Sequence, residues 1–211
     1  ESEDFTHFTL MSYNDVDEAY WRDENSTTSD YVISFTPMVY DIAAIQYLYG
    51  EANKNSENNV YSIDTARPYV GTIWDSGGLD TFDLRDANQD CVIDLKPGSF
   101  STVPCDNWFM SDNVGIAYNT IIENANGGLS HDVIYGNSEN NSLNGGKGND
   151  RLEGGAGNDI FDWDSSLRMG ADEFLGNTGN DLYVIDNDND KDLYLTSYDG
   201  KNKLFQNNGF F

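Results

Sequence analysis

The sequence predicts a mainly β fold whose principal body is a parallel β-roll, and three observations carry that expectation. From Gly127 the chain falls into nine-residue repeats rich in glycine, asparagine and aspartate. Upstream, short apolar runs (Tyr69-Val70, Ile73-Trp74, Val92-Ile93, Val114 to Tyr118) are separated by Gly, Asp and Asn, as short strands are by turns. A helical period is clear in one stretch alone, residues 36–50.

The repeats begin with Gly127-Gly128-Leu129-Ser130-His131-Asp132-Val133-Ile134-Tyr135. A degenerate copy, Gly136 to Asn144, has Asn141 in place of the aspartate. Two fuller copies follow, Gly145 to Glu153 and Gly154 to Asp162. After an insertion the pattern returns at Gly170-Ala171-Asp172-Glu173-Phe174 and Gly179-Asn180-Asp181-Leu182-Tyr183, then weakly at Asp190 to Tyr194. This is the G-G-x-G-x-D-x-U-x pattern of calcium-binding parallel β-helices.

Each repeat position has a physical reason. Glycine admits the positive φ and close backbone approach of a tight bend. Carbonyl oxygens and the aspartate of stacked bends can supply the six to eight oxygens that calcium takes at roughly 2.3–2.6 Å. The x-U-x triplet is a short strand whose middle side chain faces inward. Those middle positions are Ile134, Leu143, Leu152, Phe161, Phe174, Tyr183 and Tyr194, all apolar or aromatic. A flexible Gly/Asn linker would not keep that register. The expected calcium ligands are Gly127, Gly128, Ser130 and Asp132; Gly145, Gly146, Gly148 and Asp150; Gly154, Gly155, Gly157 and Asp159; then Asp172 and Asp181. The Asn141 copy is expected to bind weakly or not at all. Upstream, Asp75-Ser76-Gly77-Gly78-Leu79-Asp80-Thr81-Phe82-Asp83 has a similar arrangement of acids and glycines, readable as an ordinary turn or as a further calcium site.

Charge fits this expectation. The 211 residues hold 37 acids against 11 bases, a formal charge of −26. Nucleic acids and anionic membranes need basic patches, so the partners expected are cations. With 13 Tyr, 11 Phe and 4 Trp the chain is too aromatic for a disordered acidic tract, although a halophilic surface would share its charge. No apolar run reaches a membrane span. Glu1 opens an acidic stretch without initiating methionine or signal peptide, as expected of a piece of something longer. In an oxidising compartment Cys91 and Cys105 can form a disulfide; the alternative is two buried thiols.

The helix is expected to be capped by Thr36, with Pro37 in its first turn, Gly50 at its end and Ile42, Ile45, Leu48 and Tyr49 as a core face. Residues 51–59 read as a linker.

Three segments together resemble the serralysins, secreted bacterial zinc proteases of the metzincin group. Leu10-Met11-Ser12-Tyr13 resembles their Met-turn, Asp41 to Gly50 the helix that ends their protease domain, and Ile73 to Asp83 the start of their β-roll. The resemblance implies two regions: 1–55, a remnant of the metzincin catalytic domain with one α-helix, and 56–211, the calcium-binding (RTX-type) roll. It implies that Met11 packs beneath the zinc, that Tyr13 contacts zinc and stabilises the oxyanion, and that Asp75, Gly77, Gly78, Asp80 and Glu123 bind calcium. It further implies an extracellular protein that folds on meeting calcium after secretion. The H-E-x-x-H-x-x-G-x-x-H zinc motif is absent, and neither His7 nor His131 is assigned to zinc. Zinc and protein substrates would therefore require a protease segment outside this sequence. The alternative function is a non-catalytic calcium module for secretion, attachment or spacing.

Overall fold

The computed structural model describes residues 34–105, 110–164, 171–186, 193–198 and 201–206. Met11, Tyr13 and His7 lie outside them.

Two parallel sheets form the roll. The first contains β1 (Val60–Ser62), β3 (Thr81–Asp83), β7 (Asn124–Asn126), β9 (Ser142–Asn144), β11 (Ile160–Asp164) and β13 (Asp181–Asp186), in that order. The second contains β4 (Val92–Asp94), β8 (Val133–Tyr135), β10 (Arg151–Ala156) and β12 (Glu173–Thr178). Successive nonapeptides alternate between the sheets, so Ala125 pairs with Leu143 and Leu143 with Phe161, while Ile134 pairs with Leu152. One coil is thus 18 residues, lengthening to 22 where the insertion falls.

The middle residue of each triplet faces inward. Phe82, Ile93, Ala125, Ile134, Leu143, Leu152 and Phe161 are all wholly buried and form one core. Burial of each large side chain contributes about 1.5–3 kcal/mol. Phe174 and Tyr183 are only partly buried, and close the later end of the described core against Phe161, Tyr183 stacking on it at 4.9 Å.

Four expectations are corrected. Residues 54–59 are the first bend of the roll and not a linker. Lys54 O accepts from Ser76 N and Oγ at 2.9 Å, Asn59 N–H donates to Asp80 Oδ1 at 2.7 Å, and Asn58 Oδ1 accepts from Leu79 N–H. The weak copy at Asp190–Tyr194 does not continue the coil. β14 (Leu193–Tyr198) turns back antiparallel on β13, placing Tyr194 opposite Val184, and β15 (Lys201–Gln206) pairs antiparallel with β14. That copy lacks the glycines a tight parallel bend requires.

The helix also differs. α1 (Val39–Tyr49) starts at Met38, whose N–H donates to the Asp41 carboxylate at 2.9 Å. The Thr36 hydroxyl instead accepts the Thr72 N–H at 2.7 Å, tying the helix entry to β2 (Gly71–Ile73). Gly50 ends the helix at φ 84°, as expected. Only the first turn is covered: Val39 and Ile42 are buried, but Ile45, Leu48 and Tyr49 are 44%, 68% and 84% exposed. The sheet beneath, β2 with β6 (Val114–Ile116) and β5 (Phe100–Ser101), has strands of three residues or fewer and underlies only one turn.

The cysteines are not bridged. Cys91 is packed in the roll core, whereas Cys105 belongs to a separate cluster with Met38, Val70 and Met110. Burial pushes the Cys91 thiol up to about 12. Among the described residues no helix is long and apolar enough to cross a membrane.

Replacing Leu143 by Ala should cost about 2–5 kcal/mol in urea unfolding with calcium present. Val60→Ala, at a site 66% exposed, should stay within about 0.5 kcal/mol. Equal costs would contradict the assigned inward register.

Candidate functional site

The bends line both edges of the roll, and on each edge acids are strung into a ladder by backbone hydrogen bonds. On one edge Asp132 Oδ1 accepts the Cys91 N–H at 2.7 Å, Asp150 Oδ1 accepts Asp132 N–H at 2.8 Å, and Asp172 Oδ1 accepts Asp150 N–H at 2.9 Å. On the other, Asp80 takes Asn59 N–H, Glu123 Oε2 takes Asp80 N–H at 2.7 Å, Asp159 takes Asn141 N–H at 2.9 Å, and Asp181 takes Asp159 N–H at 3.1 Å. One carboxylate oxygen thus locks each coil to the one before it.

The second oxygen is the informative one. Oδ2 of Asp80, Asp150, Asp159 and Asp181 is buried and accepts no hydrogen bond. A buried acceptor without a partner costs about 1–3 kcal/mol, more when charged, so it calls for a partner the protein does not supply. Glycine is required beside it: a Cβ on Gly145, Gly154 or Gly176 would collide with the Oδ2 of Asp150, Asp159 or Asp181. Carbonyls of the neighbouring bend press on the other glycines of the repeat, and two of them, Gly128 O and Asn137 O, accept the Lys147 and Ala156 N–H groups. Gly128 O lies against Gly146, Ser130 O against Gly148, Asn137 O against Gly155 and Glu139 O against Gly157. These four glycines have φ of 85°, 129°, 104° and 114°, the conformation the repeat predicts.

Such a donor set, one carboxylate with several main-chain carbonyls, suits a hard cation and calcium above all. Among the described residues no three His, Cys, Asp or Glu side chains converge, so a cation here would rely on main-chain oxygens. The ion pairs Arg85–Asp83 and Arg151 with Glu153 and Glu173 engage none of the ladder acids.

Two bends are closed by their own side chains. Asp132 Oδ2 accepts Gly128 N–H at 2.6 Å, and Asn141 Oδ1 accepts Asn137 N–H at 2.8 Å. Asp75 likewise has both oxygens engaged, with Gly77 N–H at 2.8 Å and with the Tyr61 hydroxyl. Gly77 and Gly78, at φ 145° and 138°, shape its bend, and Gly78 lies against Glu57 O. Outside the acids runs a neutral ladder: Asn149 N–H donates to His131 Nδ1 at 2.7 Å, Asn158 N–H to Asn140 Oδ1 at 2.7 Å, and Asn180 N–H to Asn158 Oδ1 at 2.8 Å.

Sequence reasoning missed Tyr61, Asn137 and Gly176. Gly176 stands five residues before Asp181, the same interval as Gly145 to Asp150 and Gly154 to Asp159, and that spacing could have found it. Nothing in the pattern announces Tyr61.

Burial pushes the ladder acids up, Asp132 to about 6, Asp150 to about 7 and Asp159 to about 6, with like charge on Asp132 and Asp172 adding to Asp150. Asp80 and Glu123 are raised by the same desolvation.

Residues 40–194 match the family model described as peptidase M10 serralysin C terminal. Serralysin of Proteus mirabilis is 37% identical over 157 residues, covering 67% of this chain and 30% of that protein. Serralysin C of Dickeya chrysanthemi is 36% identical over 148 residues, 63% of this chain and 28% of that protein. Metalloprotease AprA of Pseudomonas entomophila (strain L48) is 35% identical over 144 residues, 59% of this chain and 29% of that protein. The chain spans less than a third of the length of these curated relatives.

The raised acids fix the sign of the pH response. Without metal, the folded state takes up protons as pH falls through about 7 to 6, while the unfolded chain waits until near 3.8. The metal-free fold should therefore melt at a higher temperature at pH 5 than at pH 8. Calcium affinity by calorimetry should run the other way, since protons compete for the same oxygens. A metal-free melting temperature that rises with pH would refute the assignment. Asp150→Ala or Asp159→Ala should weaken calcium binding more than Asp162→Ala, whose residue is exposed outside the bends.

Proposed function

We propose that this chain, which belongs to the serralysin C-terminal family of M10 peptidases, is the C-terminal part of a secreted zinc metalloendopeptidase and serves as its calcium-dependent folding domain. The observation that carries this reading is the set of four buried carboxylate oxygens without a partner, on ladders that hold the coils together.

Calcium would supply positive charge between bends whose acids otherwise repel. The chain's own residues do the rest. Asp150, Asp159 and Asp181 hold the coil register through Oδ1 and would offer Oδ2 to the ion, while Gly145, Gly154 and Gly176 leave room for that oxygen. Ion binding then becomes folding energy. Such a domain can cross membranes unfolded at low cytosolic calcium and fold outside.

For peptide hydrolysis the chain would contribute Met11 as the support beneath a zinc and Tyr13 as the oxyanion partner. The zinc histidines and water-activating glutamate would come from residues beyond this sequence. The exposed apolar side of α1, with Tyr47 89% and Leu48 68% exposed, supports a protease body lying against it.

In excess chelator at pH 8 the strand signal in circular dichroism should fall in part and return in full with millimolar calcium; an unchanged signal would overturn the folding role. Elemental analysis of the native protein should find zinc as well as calcium. Calcium alone would favour the non-catalytic module.

A further inference from the structure

The bend at Gly136–Asn141 departs from the others in a way that gives it a separate role. Asn137 and Asn141 are 5% and 2% exposed, buried where neighbouring bends carry a glycine and an aspartate. Every amide N–H of the two side chains is directed at an oxygen. Asn137 Nδ2 donates to Ile122 O at 2.8 Å and Leu95 O at 3.2 Å. Asn141 Nδ2 donates to Glu123 O at 3.0 Å and Asn137 Oδ1 at 3.1 Å. The acceptors are satisfied too, Asn141 Oδ1 by Asn137 N–H and Asn137 Oδ1 by Glu139 N–H at 2.9 Å.

We propose that Asn137 and Asn141 form a built-in substitute for a calcium ion, a neutral clamp that keeps this one bend closed without metal. In the bends at Gly145 and Gly154 a buried carboxylate oxygen without a partner calls for positive charge. Here four amide hydrogens supply that partial positive charge, and asparagine adds no negative charge to be balanced. The clamp reaches both sheets, since Leu95 directly follows β4 and Ile122-Glu123 directly precede β7. It also divides the acids of its edge, standing between Glu123 and Asp159. It therefore joins the upstream coils to the repeat coils before any ion arrives, and gives calcium-driven folding a preformed starting point.

The stoichiometry arm rests on calcium occupying the other bends; the exchange arm does not. In chelated wild-type protein, backbone amides of Asn137, Asn141 and Ser142 should exchange at least tenfold more slowly than those of Lys147, Asp150 and Arg151. Asn141→Asp should abolish that difference in chelator. The double variant Asn137→Gly, Asn141→Asp restores the aspartate and the second glycine of the repeat, and should bind one calcium more than wild type by native mass spectrometry. Equal exchange rates in the wild type, or an unchanged ion count in the double variant of a calcium-loaded protein, would overturn the clamp. A wild type that binds no calcium while retaining slow exchange at Asn141 would instead sink the folding role proposed for the roll and leave the clamp standing.

Discussion

The structure depends on carboxylates that are half satisfied. Each ladder acid gives one oxygen to the backbone of the preceding coil, and that bond sets the stacking register. For Asp80, Asp150, Asp159 and Asp181 the other oxygen is buried without a partner. The two oxygens oppose each other energetically. The first stabilises the stack by hydrogen bonding to a charged group, and the second penalises it through desolvation. The raised ionisation ranges of Asp150 and Asp159 express the same conflict. A cation resolves it, and so does a proton at lower pH, though only the cation also binds the neighbouring carbonyls.

Variation between bends has its origin in the same conflict. Where the second repeat position is Gly146 or Gly155 at positive φ, the bend opens and the acid is left bare. Where Gly128 or Asn137 turns its N–H onto the side chain four places ahead in its own bend, the bend closes on itself. Asp75 is quieted differently, by a hydroxyl from the coil above. One topology therefore holds bends that demand a cation beside bends that do not, and the choice is made by one or two side chains.

Much of this was legible in the residues. The positions Ile134, Leu143, Leu152 and Phe161 announced an inward face because two-residue alternation leaves no other reading, and all four are wholly buried. Gly146, Gly148, Gly155 and Gly157 announced positive φ because little else tolerates it. The first coil was not legible, since Lys54 to Asn59 stacks mostly through its backbone groups, which any sequence carries, with Asn58 Oδ1 as a side-chain acceptor. The helix stripe was misread because a 3.6-residue period marks an apolar face without saying what lies against it. The cysteines stayed open between a disulfide and two buried thiols because nearness in sequence does not reveal that Cys91 and Cys105 enter different cores.

The reversal at β14 has a consequence for how the molecule behaves among its own copies. A stack of parallel coils has an open last rung, a template onto which another chain could add indefinitely. β14 runs against that direction and β15 turns back beside it, and this last pair carries Lys201 and Lys203 in an otherwise strongly acidic protein. On this sheet the reversal sets a hairpin between β13 and any further coil, so direct coil addition onto β13 is blocked and one of the two rungs a fibre would build on is taken.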